Sequence, residues 1–180
     1  MYHFFVEPHQ IGAEEIRIEG ADVNHIRNVL RMKPGEEILI SSREGGDYFC
    51  RVEELEPEYV SAKILEEWEN KELPARIHLF QGLPKGDKME LIIQKAVELG
   101  AYRVVPVSMK RSVVKLDAKK ADAKRKRWNA VSESAAKQSK RSLIPEVAPL
   151  MTYKEAVKEV AGYDMVLLPY ESADGIRKTR

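Results

Sequence analysis

The stretch "RIHLFQGLPKGDKMELIIQKAVELGAYRVVPVSM", residues 76–109, holds two short apolar runs separated by a segment with helical periodicity. In that segment, Asp87 is a candidate N-cap with Glu90 three residues later, and Gly100 is placed for a left-handed C-cap. The expected buried stripe consists of Met89, Ile92, Ile93, Ala96 and Leu99. A strand, a helix and a second strand in this order predict a parallel α/β sheet.

The alternation continues towards the C-terminus. Residues 117–140 and the run "TYKEAVKEVAG" have helical patterns, and "YDMVLLPYE", residues 163–171, is an apolar run that predicts a strand. An open strand edge is therefore expected at 163–170, exposed or covered by a partner.

The first part of the chain, up to residue 68, has a different rhythm. Several β-rich runs are separated by turn signals, which predicts a small, partly open barrel. One helix interrupts them in "ADVNHIRNVLRMKPGEE", with Asp22 as the expected N-cap. Its apolar face is expected to hold Val23, Ile26, Val29 and Leu30. A polar segment at 67–76 separates the halves, so the fold class is a two-domain α+β chain with domains at 1–70 and 74–180.

Composition narrows the function classes. The 180 residues include one cysteine, which forms no internal disulfide, and no run is long enough to cross a bilayer, which favours a cytoplasmic protein. The net charge of +1 hides an asymmetry of −6 over residues 53–72 and +9 over residues 110–141. The basic segment suits a polyanion such as nucleic acid, or is a solvated, salt-bridged helix face.

The loop before the predicted helix carries Lys85 and Lys88. Lysines at a helix start oppose the helix dipole, which makes sense if an anion binds there. The loop matches neither the Walker A spacing nor G-x-G-x-x-G, so a nucleotide-binding ATPase or Rossmann enzyme is not supported. His25 and His78 lack metal-ligand spacing, and no metal site is predicted.

Four stretches, one of them inside the segment quoted first, resemble those of a known protein family. These are "NHIRNVLRMKPGEEI" (24–38), "GLPKGDKMELIIQKAVELGAYRVVPV" (82–107), "KRSVVK" (110–115) and "RWNAVSESAAKQSKRSLIPEV" (127–147). In this order they resemble the ribosomal RNA small subunit methyltransferase E family of the SPOUT superfamily. The resemblance implies a PUA-like barrel followed by a SPOUT domain that binds S-adenosylmethionine and forms a homodimer. The implied reaction is methylation of N3 of one uridine in 16S ribosomal RNA, in the small ribosomal subunit.

The resemblance also suggests site residues. Arg111 follows the second strand, where open α/β sheets bind ligands, although a plain surface arginine is the alternative. Gln138 and Arg141 are expected on one face of the helix, with C-terminal helix charge as the alternative for Arg141. These three residues are the catalytic candidates. Trp128 is expected in the core, and Glu133 and Lys137 as a structural pair. RNA contacts are expected at Arg27, Arg31, Lys33, Lys85, Lys88, Lys120, Lys124 and Arg127, and donor contacts at Leu168, Tyr170 and Glu171.

The sequence departs from the family pattern in one major respect. The G-P-E-G-G and L-G-x-x-I-L-R-x-E-T-A runs that build the family's methyl-donor pocket do not occur in these 180 residues. We therefore expect a truncated chain that lacks the knot and does not methylate. His3 also stands where the family often has an arginine. A non-enzymatic RNA- or ribosome-binding protein of the same fold is the competing interpretation, and a small-ligand α/β enzyme is a third.

Overall fold

A computed structural model of the chain describes residues 1–43, 45–70, 72–109 and 118–169. Its first sheet has the order β1-β3-β4-β5-β2. β1 and β3 are parallel, and the other neighbours are antiparallel. The strands are β1 Tyr2–Val6, β2 Glu15–Glu19, β3 Glu37–Ser42, β4 Asp47–Leu55 and β5 Tyr59–Trp68.

This sheet curls around a core of alternating side chains. In β2, Ile16 and Ile18 point inward between exposed neighbours, as a half-buried strand requires. The register of β4 against β5 shifts at Phe49/Cys50 and again at Val52/Glu54, and such bulges bend and twist a strand. Because β1 and β2 end the sheet without pairing to each other, the barrel is open on one side. The predicted partly open barrel is confirmed.

The helix between β2 and β3 differs from the prediction. α1, Ala21–Asn24, continues directly as a π-helix over His25–Val29, and Gly20, with φ of 76°, occupies the N-cap position expected for Asp22. Val23 and Ile26 are buried as predicted, whereas Val29 is 61% exposed. The wider π-turn explains the error at Val29, because it shifts later residues away from the face that α-helical spacing assigns.

The second sheet is parallel throughout, as predicted. β6 pairs with β7, and β7 pairs with both β8 and β9. The carboxyl ends of β6 and β7 therefore lie at one edge, with Gly82 opposite Val107. The elements are β6 His78–Gly82, α2 Lys88–Glu98, β7 Arg103–Ser108, α3 Ala118–Ser139, β8 Glu146–Val147, β9 Met151–Thr152 and α4 Tyr153–Val160.

α2 corrects two details of the predicted helix. Its last helical residue is Glu98, and Leu99 lies beyond it with 80% of its surface exposed, while Val97 is buried instead. Gly100, with φ of 96°, makes the left-handed turn that was predicted. Asp87 does occupy the N-cap position, but its side chain makes no capping hydrogen bond. The expected capping pair with Glu90 therefore does not form.

The predicted strand at 163–171 is wrong over 163–169, where Val166 alone makes a β-bridge. A continuous apolar run forms a stable strand when both of its faces are covered. Here Met165, Leu167 and Leu168 are all more than half exposed. Tyr163 nevertheless packs on β6, since its ring lies edge-on to His78 with centroids 4.8 Å apart.

β1 joins the two sheets. Phe4 and Val6 point into the barrel core, whereas Phe5 belongs to a second core with Trp128 and the buried face of α2. Ion pairs reinforce this seam, since Arg43 lies 3.4 Å from Glu133 of α3. The barrel and the parallel sheet are therefore packed against each other through β1 and α3.

Candidate functional site

The carboxyl edge of the parallel sheet is the first candidate surface. The loop after β6 leaves this edge at Leu83, whose N–H donates to the carbonyl of Val107 (3.0 Å). A Cβ at Gly82 would come within 3.2 Å of the Met109 side chain, so glycine allows the two chain segments to approach closely. Arg111 follows Met109 and lies outside the described residues, as do Tyr170 and Glu171.

The loop at this edge presents two lysines. Lys85 and Lys88 are both exposed at the start of α2, and neither makes an ion pair within the parts of the chain that the structure describes. Gly86, with φ of 65°, turns the loop between them. Both lysines are therefore available to an anion from outside.

α3 extends this basic surface. Arg127 of α3 pairs with Glu90 in the first turn of α2 (2.7 Å), while Arg141 reaches the last turn of α2. The two helices therefore run in the same direction, and Lys120, Lys124 and Arg127 of α3 lie at the same end as the loop. The structure thus brings together five predicted RNA contacts: Lys85, Lys88, Lys120, Lys124 and Arg127.

These five cations differ in exposure. Lys120 is exposed, whereas Lys124 is half-buried with its ammonium 5.9 Å from the Trp128 ring centroid. Arg127 is already partly neutralised by Glu90. Trp128 is 4% exposed, which confirms its predicted place in the core.

Arg141 lies in a buried network. Its Nε donates to both carboxylate oxygens of Glu72 (2.8 and 2.9 Å), and its Nη1 donates to the carbonyls of Val97 (2.7 Å) and Ala101 (3.1 Å). The side chain is 10% exposed and that of Glu72 is 14% exposed. In this arrangement the guanidinium holds the end of α2 and the segment between the sheets. Its catalytic role stays a prediction.

Gln138 and Arg141 do not share a helix face, contrary to the prediction. α3 ends at Ser139, and Lys140 adopts a left-handed conformation with φ of 57°. The N–H of Arg141 then donates to the carbonyl of Ala136 (3.0 Å), the bond that closes a Schellman turn. The turn sends Arg141 inward and leaves Gln138 exposed.

Gln138 instead lines a cleft of about 680 Å³ between the barrel and α3. The walls come from β1, from the α1–π-helix segment and from α3. Lys137 bridges two walls, since its ammonium lies 3.1 Å from Asp22 and 3.3 Å from Glu133. The predicted structural pair of Glu133 and Lys137 is confirmed. The remaining lining residues are Met1, Tyr2, His3, Phe4, Ala21, His25, Leu30, Ala130 and Ser134.

His3 sits in the cleft wall within a buried polar chain. Its Nε2 lies 2.8 Å from Ser41 Oγ, and the Ser41 hydroxyl donates to Asp47. Because the hydroxyl proton goes to Asp47, Nε2 of His3 is the donor and Nδ1 carries no proton. That Nδ1 has no hydrogen-bond partner among the described residues. Burial, with help from Lys137 and Lys140, lowers the pKa of His3 to about 4.

Of the remaining predicted RNA contacts, Arg27 lies within the π-helix, and Arg31 and Lys33 come after it. Arg31 and Lys33 are exposed, Arg27 is half-buried, and none of the three forms an ion pair with any part of the chain that the structure describes. Arg31 has φ of 53°, an uncommon conformation for a non-glycine residue.

The opposite edge of the parallel sheet holds a polar cluster at the amino ends of β6 and β7. Nδ1 of His78 lies 2.8 Å from the Tyr163 hydroxyl, and Arg103 pairs with Glu159 (2.7 Å). Burial and Arg103 lower the pKa of His78. Because ligands of open α/β sheets bind at carboxyl ends, we interpret this cluster as structural.

Metal-binding clusters and membrane-spanning helices are both absent from the described residues. No group of three or more His, Cys, Asp or Glu side chains there is arranged to hold a metal ion. No helix in the same residues combines the length and apolar character needed to cross a membrane.

Comparisons with known proteins agree with this geometry. A family model described as an RNA methyltransferase domain matches residues 71–179, the part that contains the parallel sheet. A second, described as an RNA methyltransferase PUA domain, matches residues 18–65 in the barrel. The class is therefore an RNA methyltransferase domain joined to a PUA domain, and the PUA-like and SPOUT folds predicted from the sequence are confirmed.

Relatives with established names identify the family within this class of RNA methyltransferases. A Bacillus subtilis protein named ribosomal RNA small subunit methyltransferase E is 39% identical over 178 residues, which cover 96% of this chain and 69% of the relative. A Synechocystis protein of the same name is 31% identical, over 93% of this chain and 54% of its own length. This chain belongs to the ribosomal RNA small subunit methyltransferase E family.

Solved structures point the same way. A crystal structure of a Neisseria gonorrhoeae protein with that name, bound to S-adenosylmethionine, is 34% identical with a TM-score of 0.76. The match covers 88% of this chain and 66% of that protein. A crystal structure described as a hypothetical protein is 40% identical with a TM-score of 0.88, covering 95% and 72%.

The sequence alone did not indicate two features of the site. The Glu72 partner of Arg141 lies in a polar segment that the sequence marks only as a linker. The cleft draws on β1, the π-helix and α3, which are far apart in the chain. The one available signal was His3, which departs from the family pattern and proves to be a buried member of the cleft wall.

Proposed function

We propose that this protein takes part in S-adenosylmethionine-dependent methylation of N3 of a uridine in 16S ribosomal RNA. The single observation that carries the proposal is the 39% identity to the Bacillus subtilis relative over 96% of the chain. The exposed lysines at the carboxyl edge of the parallel sheet support it, because they would hold RNA phosphates beside the edge where such sheets bind ligands.

The reaction sets requirements for this edge. S-adenosylmethionine would supply the methyl group, so that a sulfur–methyl bond breaks, a bond from N3 to that methyl forms, and the N3 proton leaves. The site must therefore stabilise negative charge that develops on the uracil ring. Arg111 remains our candidate for that role, since it follows β7 at this edge of the sheet. Gln138, the other catalytic candidate, lines the cleft between the barrel and α3, and we propose that it contacts the RNA from there.

The fit of S-adenosylmethionine rests on exposed apolar side chains. Leu167 and Leu168 are 59% and 76% exposed, and they offer an apolar surface of the kind that an adenine ring packs against. We propose Leu168, Tyr170 and Glu171 as part of the donor site. Arg141 would act indirectly, by holding the last turn of α2.

We further propose domains at residues 1–70 and 74–180, a homodimer, and a cytoplasmic location beside the small ribosomal subunit. The barrel would add RNA contacts through Arg27, Arg31 and Lys33. The basic end of α2 and α3 would carry most of the phosphate contacts, since three of its lysines face solvent: Lys85, Lys88 and Lys120.

The test is direct. The protein, expressed from its reading frame, is incubated with methyl-labelled S-adenosylmethionine and unmethylated small ribosomal subunits, and the RNA is digested to nucleosides for mass spectrometry. We expect label in 3-methyluridine at one position from a protein that carries the G-P-E-G-G and L-G-x-x-I-L-R-x-E-T-A runs, and no label from the 180 residues alone. Label on another atom of the base would refute the N3 assignment.

Measuring RNA binding alongside this assay distinguishes the methyltransferase from the competing function, a non-enzymatic RNA-binding protein. Tight, salt-dependent binding to the ribosomal subunit without any methyl transfer would support a non-enzymatic RNA-binding protein of this fold. A Lys85→Ala/Lys88→Ala variant should bind RNA more weakly and show a shallower salt dependence, with Lys158→Ala on α4 as the control.

A further inference from the structure

We propose that the cleft between β1, the π-helix and α3 holds one unpaired nucleobase of the RNA. This proposal rests on the RNA-binding function proposed above and assigns a second contact, apart from the carboxyl edge of the parallel sheet. The cleft volume of about 680 Å³ lies within the usual range of small-ligand sites, so it accommodates a single nucleotide.

The charge of the lining favours an uncharged ring over a phosphate. Its ionised side chains are Asp22, Glu133 and Lys137, and the lysine already contacts both carboxylates. A phosphate placed here would face two carboxylates and compete for an occupied lysine. A neutral base would meet no such penalty.

The rim has the opposite character. Arg31 comes directly after the lining residue Leu30, with Lys33 two residues further on, and Lys140 is close enough to the lining residue His3 to lower its pKa. All three cations are exposed. A neutral slot with a cationic rim is the arrangement expected for a strand whose base turns inward while its phosphates stay outside.

The lining also offers groups that recognise a base. Tyr2 is 47% exposed and presents an aromatic face for stacking. Gln138 carries an amide that both donates and accepts, which suits the edge of a base. The π-helix itself supports a functional role, because π-turns occur frequently at functional sites.

The experiment is an abasic scan. Single-stranded RNA oligonucleotides from the methylated region of the small-subunit RNA, each with one base removed and all phosphates retained, are titrated against the protein by fluorescence anisotropy. Apart from the methylated uridine itself, we expect one position to lose about 5- to 150-fold in affinity, the range for a stacked base, and the others to change little. A uniform response along the strand would overturn the proposal.

Variants connect that position to the cleft. Tyr2→Ala should abolish the difference between the intact and the abasic oligonucleotide, whereas Tyr153→Ala, a tyrosine of similar exposure on α4, should preserve it. Gln138→Ala should keep the stacking but reduce the preference among the four bases at that position. An unchanged abasic effect in Tyr2→Ala, together with an unchanged base preference in Gln138→Ala, would place the base elsewhere and refute the assignment.

The outcome is independent of catalysis, because the scan measures binding without the methyl donor. An abasic effect in a protein that transfers no methyl group would support the cleft and count against the enzyme. Methyl transfer with no abasic effect would support the enzyme and count against the base-binding cleft.

Discussion

Replacing Arg141 with alanine should unfold the protein more readily rather than remove a group from the active site. The change deletes the donors to Glu72 and to the carbonyls of Val97 and Ala101. It leaves a carboxylate whose side chain is only 14% exposed without its charged partner, with the N–H of Ser142 (2.8 Å) as the remaining donor. Breaking a buried pair from one side costs about 3–5 kcal/mol.

The expected magnitude is therefore large. For a chain of this size, about 2–4 °C of melting temperature is lost per kcal/mol, so Arg141→Ala should melt roughly 6–20 °C lower. Urea titration followed by circular dichroism gives the free energy of unfolding directly. Arg141→Lys should recover only part of the loss, because lysine lacks the planar fork that bonds two groups at once.

The matched control is Arg127→Ala. Arg127 also pairs with a glutamate across α2 and α3, but its side chain is 66% exposed, and exposed pairs contribute about 0–1 kcal/mol. A double-mutant cycle with Glu72→Ala then isolates the coupling between Arg141 and Glu72. If Arg141→Ala costs no more than Arg127→Ala while methyl transfer is lost, the structural role is refuted and the catalytic candidate stands.

Three further predictions concern single features of the fold. The pKa of His3 is about 4 in the folded chain and about 6.5 in the unfolded chain, so the unfolded chain binds a proton first as the pH drops. The free energy of unfolding should therefore fall by about 3 kcal/mol between pH 6.5 and pH 4. The urea midpoint of His3→Asn should vary less over that range. Lys140→Gly should raise the free energy of unfolding by about 0.5–1 kcal/mol, because glycine adopts the left-handed C-cap without strain; a loss of stability by thermal melting would contradict this. Thr152→Ala should cost about 1 kcal/mol, since Thr152 caps α4, whereas Asp87→Ala should be nearly neutral; equal costs in chemical denaturation would show that side-chain capping is not the cause.

The sequence predicted helices and strands well where the spacing of apolar residues and the adjacent turn residues determine the structure. The apolar stripe and Gly100 predicted α2 to within about one residue at each end. The β-rich runs predicted the barrel. These features depend on residues close in sequence, which a single sequence displays directly.

The errors come from interactions between distant residues. Nothing near Arg141 reveals that Glu72, in the linker, accepts its hydrogen bonds. The π-turn moved Val29 off the buried face, and the run at 163–169 did not become a strand because its faces are not covered. In each case tertiary packing overrode a sound local pattern.

The shared strand β1 has a consequence for synthesis. Phe5 is made well before Trp128 and Val147, which belong to the core that receives it. At about 5–20 residues per second, the strand waits roughly 6–30 s before its partners exist. During that interval the apolar side of β1 that carries Phe5 lacks its packing partners, so the seam folds only after Trp128 and Val147 have been translated.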